Sequence, residues 1–291
     1  MENIIIKELF DYEDGIWIEK KSVAVESSFS DVQQQEISRI ENSSWWYKYR
    51  FEYLYSFVPQ NFLKTAKTVD IGGGCGYVLS KFKERWKGIC VEIEPNIFAC
   101  KYAKKRGIDE VFCTAFDETT VYDNSIDQFF LLDVLEHIED DERFVQCIYN
   151  KVAEGAVGIV TTPAFMELWS GNDVISGHFR RYNKEQLVNL FTSNGFSVTY
   201  ANYFMSWLYF PIKIFRRGFE KIGLTNYSNN LSDKKASCVR NREYILGNSR
   251  LLKVLIDFFL KGEIKRKNKT SKHGSSVIII ARKEVAHEKD N

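Results

Sequence analysis

Read from its first residue, the chain changes hydrophobic period several times. Residues 1–40 carry no sustained pattern, and the apolar stretches 4–6 and 16–18 are long enough only for short strands of an N-terminal flap. From 37 to 58 the spacing turns helical and eight rings crowd into it: Trp45, Trp46, Tyr47, Tyr49, Phe51, Tyr53, Tyr55 and Phe57. Beyond residue 60, apolar runs of strand length alternate with helix-spaced segments. Strands are expected at 68–71, 88–93, 110–113, 126–134, 156–162, 196–203 and 276–282, and helices at 77–86, 96–106, 141–152 and 184–194. Pro95, Gly107, Pro163 and Gly195 punctuate them. The run 126–134 is almost wholly apolar, as suits a strand covered on both faces. This alternation predicts an α/β fold, a doubly wound, seven-stranded, mostly parallel sheet. Residues 204–273 break the alternation and read as a helical insertion before the last strand. The expected organisation is a flap and aromatic cap helix over 1–60, a central domain over 61–203 and 274–284, and the insertion over 204–273.

The first of these strands runs into Asp70-Ile71-Gly72-Gly73-Gly74-Cys75-Gly76. Glycines at that place let the backbone turn sharply and approach a ligand closely. The spacing is not the dinucleotide fingerprint GxGxxG, because Tyr77 stands where its third glycine would fall. It is D-x-G-x-G-x-G over Asp70, Gly72, Gly74 and Gly76. A ligand without a pyrophosphate does not need the helix N-terminus held open for an anion. Glu92 ends the second of these strands, where an acid of a doubly wound fold accepts hydrogen bonds from ribose hydroxyls. The plainer alternative is that Glu92 terminates a strand.

These residues resemble the class I S-adenosylmethionine-dependent methyltransferases, over roughly 42–205 and the last strand. DIGGGCG is similar to that family's first motif and GICVEIEP to its second. Asp123-Asn124-Ser125-Ile126-Asp127 and Asp133-Val134-Leu135-Glu136-His137 resemble the stretch around the fourth strand, and 157–163 resembles the fifth strand ending in proline beside the substrate. The resemblance implies a Rossmann-like fold, S-adenosyl-L-methionine as cofactor, and a donor site built on Asp70, Gly72, Gly74, Gly76, Glu92 and Asp133. The sequence departs from the family at the acid that binds the adenine amino group, which aligns with Thr114. Thr114 could accept that hydrogen bond, Asp117 could substitute, or the backbone and ring at Phe116 could make the contact. Ser44-Trp45-Trp46-Tyr47-Lys48-Tyr49-Arg50 resembles a lead-in whose helix covers the donor pocket. Most of its rings are core filler by helical geometry, with Tyr47 or Arg50 placed to reach the donor carboxylate.

Methyl transfer from a sulfonium is an in-line displacement that needs no metal and no covalent intermediate. It needs the acceptor held at attack distance and, for a hydroxyl, a base. Of the 4 histidines, His273 and His287 stand in basic or terminal segments and are expected to be solvated, which leaves His137 and His178 as catalytic candidates. His137 follows the fourth strand at the carboxyl end of the sheet, as a base, a helix cap or a donor contact. His178 opens Gly177-His178-Phe179-Arg180-Arg181-Tyr182, which resembles a GHxRRY signature in a subset associated with glycan and lipid-linked sugar pathways. Arg180, Arg181 and Tyr182 then suit an anionic acceptor, or they brace the loop against acids of the helix below. The implied function is O-methylation of a small or lipid/sugar-linked acceptor. The alternatives are N- or C-methylation in natural-product assembly, and a donor-binding protein without catalysis. No Asn-Pro-Pro-Tyr-like tetrad stands at 133–136, which speaks against nucleic-acid or protein amino-group methylation.

Composition changes this picture in two places. The 291 residues hold 40 Lys+Arg against 39 Asp+Glu, which argues against a general nucleic-acid binder. That balance is a cancellation, because 213–273 alone holds 16 basic and 5 acidic residues. Seven rings fall between 203 and 219, with Lys213, Arg216, Arg217 and Lys221 at the C-terminal end of the same segment. Such a segment suits a lid over a hydrophobic acceptor that touches a membrane surface through 204–221 and 251–269, or a helical hairpin buried on the sheet or a second subunit. No run approaches the roughly 18 apolar residues of a membrane span. The 6 cysteines form no CxxC and no Cys/His group has zinc spacing, so no metal is expected. The acidic N-terminus lacks a cleavage-site pattern, and the cysteines read as reduced core residues. A cytoplasmic protein is expected, peripheral at the inner face of the membrane.

Overall fold

The computed structural model describes residues 4–20, 31–221 and 250–285. Cys238, His287 and the side chains of Phe215, Arg216, Arg217, Phe219 and Lys221 lie outside the described residues. The strands are β1 (Phe10–Glu13), β2 (Ile16–Glu19), β3 (Thr68–Ile71), β4 (Cys90–Glu94), β5 (Glu110–Cys113), β6 (Ile126–Leu132), β7 (Val152–Pro163), β8 (Ser197–Phe204) and β9 (Ser276–Arg282). They form one sheet in the order β1-β2-β5-β4-β3-β6-β7-β9-β8. From β2 to β7 every pairing is parallel, whereas β9 runs antiparallel to both β7 and β8.

The seven strands expected for the central sheet are all present, the short strand expected at 16–18 is β2, and β1 is added beside it at the edge. Asp14 and Gly15 turn with φ 50° and 82°, the positive-φ pair that a two-residue hairpin needs, so 10–19 folds back on itself. β2 then pairs along the otherwise free edge of β5, Trp17 opposite Phe112 and Ile18 opposite Cys113. The strand expected at 4–6 is instead a single bridge from Ile5 to Val121.

The helices are α1 (Asp31–Ile40), α2 (Trp45–Tyr55), α3 (Val58–Asn61), α4 (Tyr77–Arg85), α5 (Ile97–Lys105), α6 (Asp141–Lys151), α7 (Gly171–Ile175), α8 (Lys184–Ser193), α9 (Ser206–Lys221) and α10 (Arg250–Arg266). The helical pattern over 37–58 is interrupted because Ser44, in extended backbone, accepts hydrogen bonds from the N–H groups of Trp46 and Tyr47 and starts a new helix. β6 stops at Leu132, two residues early, because Asp133 turns to φ 57°.

Successive residues of the central strands feed opposite layers. Val277, Ile279 and Ala281 pack with Val145 and Ile148 of α6 and Leu187 and Phe191 of α8. Ile278 and Ile280 pack on the other face with Tyr53 and Leu54 of α2 and Ile256 and Leu260 of α10. The two ring-rich segments meet in one core: Tyr53 stacks on Phe204 at 5.0 Å and Tyr49 lies 6.2 Å from Trp207, which in turn stacks on Phe259 of α10 at 4.9 Å. Glu263 of α10 accepts from the Tyr49 hydroxyl at 2.7 Å and from the N–H groups of Met205 and Ser206 at 2.9 and 2.6 Å. One carboxylate thus ties α10 to α2 and caps the electropositive start of α9.

The strand order reverses at β3. The chain moves to one side through β4 and β5, then returns to the other as β6. Ligands of doubly wound sheets bind at such a reversal, at the carboxyl ends of the strands.

Candidate active site

β3 and β4 bring Asp70, Glu92 and Glu94 beneath the glycine loop. Gly72, Gly74 and Gly76 take φ values of 70°, 63° and 70°, a region that glycine alone enters without strain. Gly73 is needed for room, since a Cβ there would lie 2.9 Å from the carboxyl carbons of both Asp70 and Glu92. Glu94 holds the loop by accepting the N–H of Gly74 at 3.1 Å and of Asn96 at 2.9 Å. Glu92 is fully buried, and neither of its carboxylate oxygens has a hydrogen-bond partner among the described residues; Asp70 Oδ1 is in the same position. Buried acceptors left in this way cost free energy until donors arrive. Burial pushes the carboxyls of Asp70 and Glu94 up to about 7, and burial beside Asp70 pushes Glu92 well above the usual carboxylate range. Among the described residues no donor reaches the Glu92 oxygens or Asp70 Oδ1. The adjacent O–H groups of a ribose supply donors, whereas a phosphate would set oxygen against oxygen. The adenosyl part of S-adenosylmethionine fits this set.

Asp133 follows β6 at the same crevice. Arg50 of α2 donates to its Oδ2 and, at 2.8 Å, to Thr161 Oγ1, which in turn donates to Asp133 Oδ1 at 3.1 Å. Arg50 is buried, and its Nε has no partner among the described residues. Thr114 donates to Glu19 Oε2 of β2 at 2.6 Å, so the flap sets a carboxylate beside the residue that aligns with the family's acid. Asp117 Oδ1 accepts from the N–H groups of Thr119 and Thr120, which fixes that carboxylate to its own turn. Phe116 packs against Phe144.

The crevice continues into a turn, Leu135–His137, and the loop after β7 folds over that turn. His137 and His178 meet edge to face, their ring centroids 4.7 Å apart. Ligand atoms of Glu136, His137 and His178 all lie within 4.8 Å of one another. Burial, and then the His178 imidazole, lower the His137 pKa to about 4. Glu136 is buried and pushed well above the usual range by that burial and by Asp133.

The loop holds its shape through Asp173. Its Oδ1 meets His178 Nδ1 at 3.0 Å and Arg181 Nε at 2.7 Å, and its Oδ2 accepts from the Ser170 N–H. Burial opposes ionisation of Asp173, but the hydrogen bonds from His178 and Arg181 outweigh it and hold the carboxyl well below its usual range. Arg181 also donates to the Ala164 carbonyl, while Tyr182 and Arg180 both meet Asp141 Oδ2 at 2.6 Å. Of the three residues expected to bind an anionic acceptor, Arg181 and Tyr182 are buried and committed to the protein's own oxygens, the bracing role that the sequence also allowed. Arg180 is partly exposed at the loop's edge. His273, expected to be solvated, is half-buried with its ring 4.5 Å from Tyr209.

A family profile for a methyltransferase domain matches residues 46–201, more than half of the chain. The chain belongs to this methyltransferase family. It is an S-adenosylmethionine-dependent methyl-transferring enzyme, as its motifs imply. Solved structures show the same fold. The cyclase SpnF superposes with a TM-score of 0.59 at 14% identity, over 88% of this chain and 94% of that one. A Haemonchus contortus phosphoethanolamine N-methyltransferase 2, in complex with phosphomonomethylethanolamine and S-adenosylhomocysteine, gives 0.54 at 14% identity, over 89% of this chain and 59% of that one. A geranyl diphosphate methyltransferase in complex with its diphosphate and sinefungin gives 0.50 at 12% identity, over 80% and 77%. Such identities carry the fold and leave the acceptor to the site itself.

Three residues of this site escaped sequence reading: Glu19, Thr161 and Asp173. Glu19 and Thr161 act on residues far from them in the chain, at a separation of 95 residues for Glu19 and Thr114 and 111 for Thr161 and Arg50. Asp173 alone left a local trace, its capping box with Ser170.

Proposed function

We propose that this methyltransferase holds the ribose of S-adenosylmethionine on Glu92, under the loop of Asp70, Gly72, Gly74 and Gly76, and O-methylates a small acceptor at the Glu136–His137–His178 end of the crevice. The observation that carries the reading is the pairing of two environments along one sheet edge. Buried carboxylate oxygens without donors stand after β4, and two imidazoles with a buried acid stand after β6. Thr114 and Glu19 receive the adenine amino group, and Asp133, fixed by Arg50 and Thr161, lines the methionine part with the free Nε of Arg50 toward its carboxylate. In the transfer an oxygen lone pair of the acceptor attacks the methyl carbon, the C–S bond breaks, and its electron pair stays on sulfur as a neutral thioether. The hydroxyl proton leaves at the imidazole end. Alignment supplies most of the rate, since the donor is already activated.

The test is transfer of an isotope-labelled methyl group from S-adenosylmethionine into a set of hydroxyl-bearing sugar phosphates, sugar-lipids and matched amines, with the labelled atom located by NMR. O–CH3 signals that vanish in His178→Ala are expected. Label confined to amines would overturn the reading.

A lipidic acceptor is favoured by the outer face of the insertion. Phe210 and Phe258 are 58% and 69% exposed, beside exposed Ile214 and Val254. A groove of about 470 Å³ runs between α9 and α10, lined in part by Trp207, Phe258, Arg266 and Lys269. Apolar rings edged by cations suit the plane of an anionic bilayer. Among the described residues no helix is long and apolar enough to cross one. We assign the enzyme to the cytoplasmic face of such a membrane. Cosedimentation with anionic vesicles at low salt checks this, and no binding there would refute it.

A further inference from the structure

We propose that Glu136, His137 and His178 form a binding site for one divalent transition-metal cation of the zinc type. The first observation is geometric. Two imidazoles and a carboxylate, from a turn after β6 and a loop after β7, converge until their ligand atoms lie within 4.8 Å of one another. Two histidines and one acid, with remaining positions open, are a donor set that suits zinc and its neighbours. The second observation concerns Glu136. It is 1% exposed, and its Oε2 has no hydrogen-bond partner among the described residues. A buried carboxylate oxygen left without a donor costs free energy, and a coordinated cation would offset that cost. The third is the support behind the ligands. Asp173 Oδ1 lies 3.0 Å from His178 Nδ1, and Asp173 is in turn held by Arg181 and Ser170. A histidine that binds metal through one nitrogen is oriented in this way through the other. The Phe179 N–H donates to the Glu136 carbonyl at 2.7 Å and staples the two ligand-bearing segments together.

The expectation of no metal rested on Cys/His spacing, which a site whose two histidines stand 41 positions apart does not show. The inference rests on the reading of this end of the crevice as the acceptor end. An acceptor hydroxyl bound at an open position of the cation would lose its proton to solvent more readily. The oxygen lone pair then attacks the methyl carbon, and the C–S electron pair stays on sulfur. His137 and His178 act as ligands in this account, and Asp173 is a positioning residue.

The test uses the full chain, stripped with chelator and titrated with Co2+. Binding is read from the visible spectrum and the metal content, and S-adenosylhomocysteine affinity is measured by calorimetry in parallel. One Co2+ per chain is expected in the wild type. Asp173→Asn should weaken it about 10- to 100-fold, and Glu136→Gln and His178→Gln at least as much, while all variants keep wild-type affinity for S-adenosylhomocysteine as proof of folding. No Co2+ bound by a wild-type chain that binds S-adenosylhomocysteine would overturn the proposal. So would Glu136→Gln and His178→Gln binding Co2+ like the wild type. Loss of S-adenosylhomocysteine binding by the wild-type chain would instead sink the donor-site reading and leave the cation result standing.

Discussion

Glu92→Gln should move donor affinity and the stability of the free protein in opposite directions. In the free protein Glu92 is enclosed with two oxygens unpartnered, and Asp70 and Glu94 crowd the same space. Removing the carboxylate relieves that crowding, and the new amide can donate toward the unpartnered Asp70 Oδ1. A gain of about 1–3 kcal/mol at pH 8 is the scale of one buried unsatisfied group repaired. With donor bound the balance reverses. A hydrogen bond from a ribose hydroxyl to a carboxylate is worth about 1.5–3 kcal/mol, and the amide keeps one acceptor oxygen while turning a donor on the second hydroxyl. Losing one such bond weakens S-adenosylmethionine binding about ten- to a hundredfold. Calorimetry gives the affinity and urea unfolding at pH 8 gives the stability. Unchanged affinity would remove Glu92 from the ribose site. Falling stability at pH 8 would show that its carboxylate is part of the resting structure.

Three further outcomes follow from the same geometry. Gly73→Ala should cost about 1–3 kcal/mol and weaken donor binding, because its Cβ would press on Asp70 and Glu92 at 2.9 Å; a wild-type urea midpoint would contradict the crowding. Arg50→Ala leaves Asp133 and Thr161 without their shared partner, a loss of about 3–5 kcal/mol by analogy with broken buried pairs, with Arg50→Lys intermediate; a cost near zero by urea unfolding would show the pair to be superficial. The free protein should melt higher at pH 6 than at pH 8. Burial raises the carboxyls of Glu41, Asp70 and Glu94 to about 7 in the folded state, so their contribution is fully present below the unfolded values and is lost as pH rises through about 7. The difference is roughly 1 kcal/mol per carboxyl, and equal melting at the two pH values would refute it.

Much of the frame was legible because it is local. The strands 68–71, 110–113 and 276–282 stand where their apolar runs end, and the glycine loop follows the strand that sequence spacing demanded. Of the hairpin, the strand at 16–18 was expected but β1 and the Asp14-Gly15 turn were not, because only four residues flank the turn on each side and β2 is anchored on β5, far along the chain. The long aromatic segment hid a helix boundary, since Ser44 caps by a single hydroxyl that hydrophobic period does not register. The candidate site divides in the same way. Asp70 and Glu92 could be placed from spacing, whereas the commitments of Arg50 to Thr161 and Thr114 to Glu19 depend on side chains meeting across the fold, and that of Arg181 to Asp173 depends on how one irregular loop closes on itself. Charge types alone made Arg181 and Tyr182 read as anion binders. Burial and the carboxylates beside them make both loop braces.

The most direct measurement is the crystal structure of the complex with S-adenosylhomocysteine. The account predicts both ribose hydroxyls within hydrogen-bond distance of the Glu92 carboxylate and the sulfur directed at Glu136, His137 and His178. A ribose bound away from Glu92, or a sulfur facing away from those three residues, would contradict it.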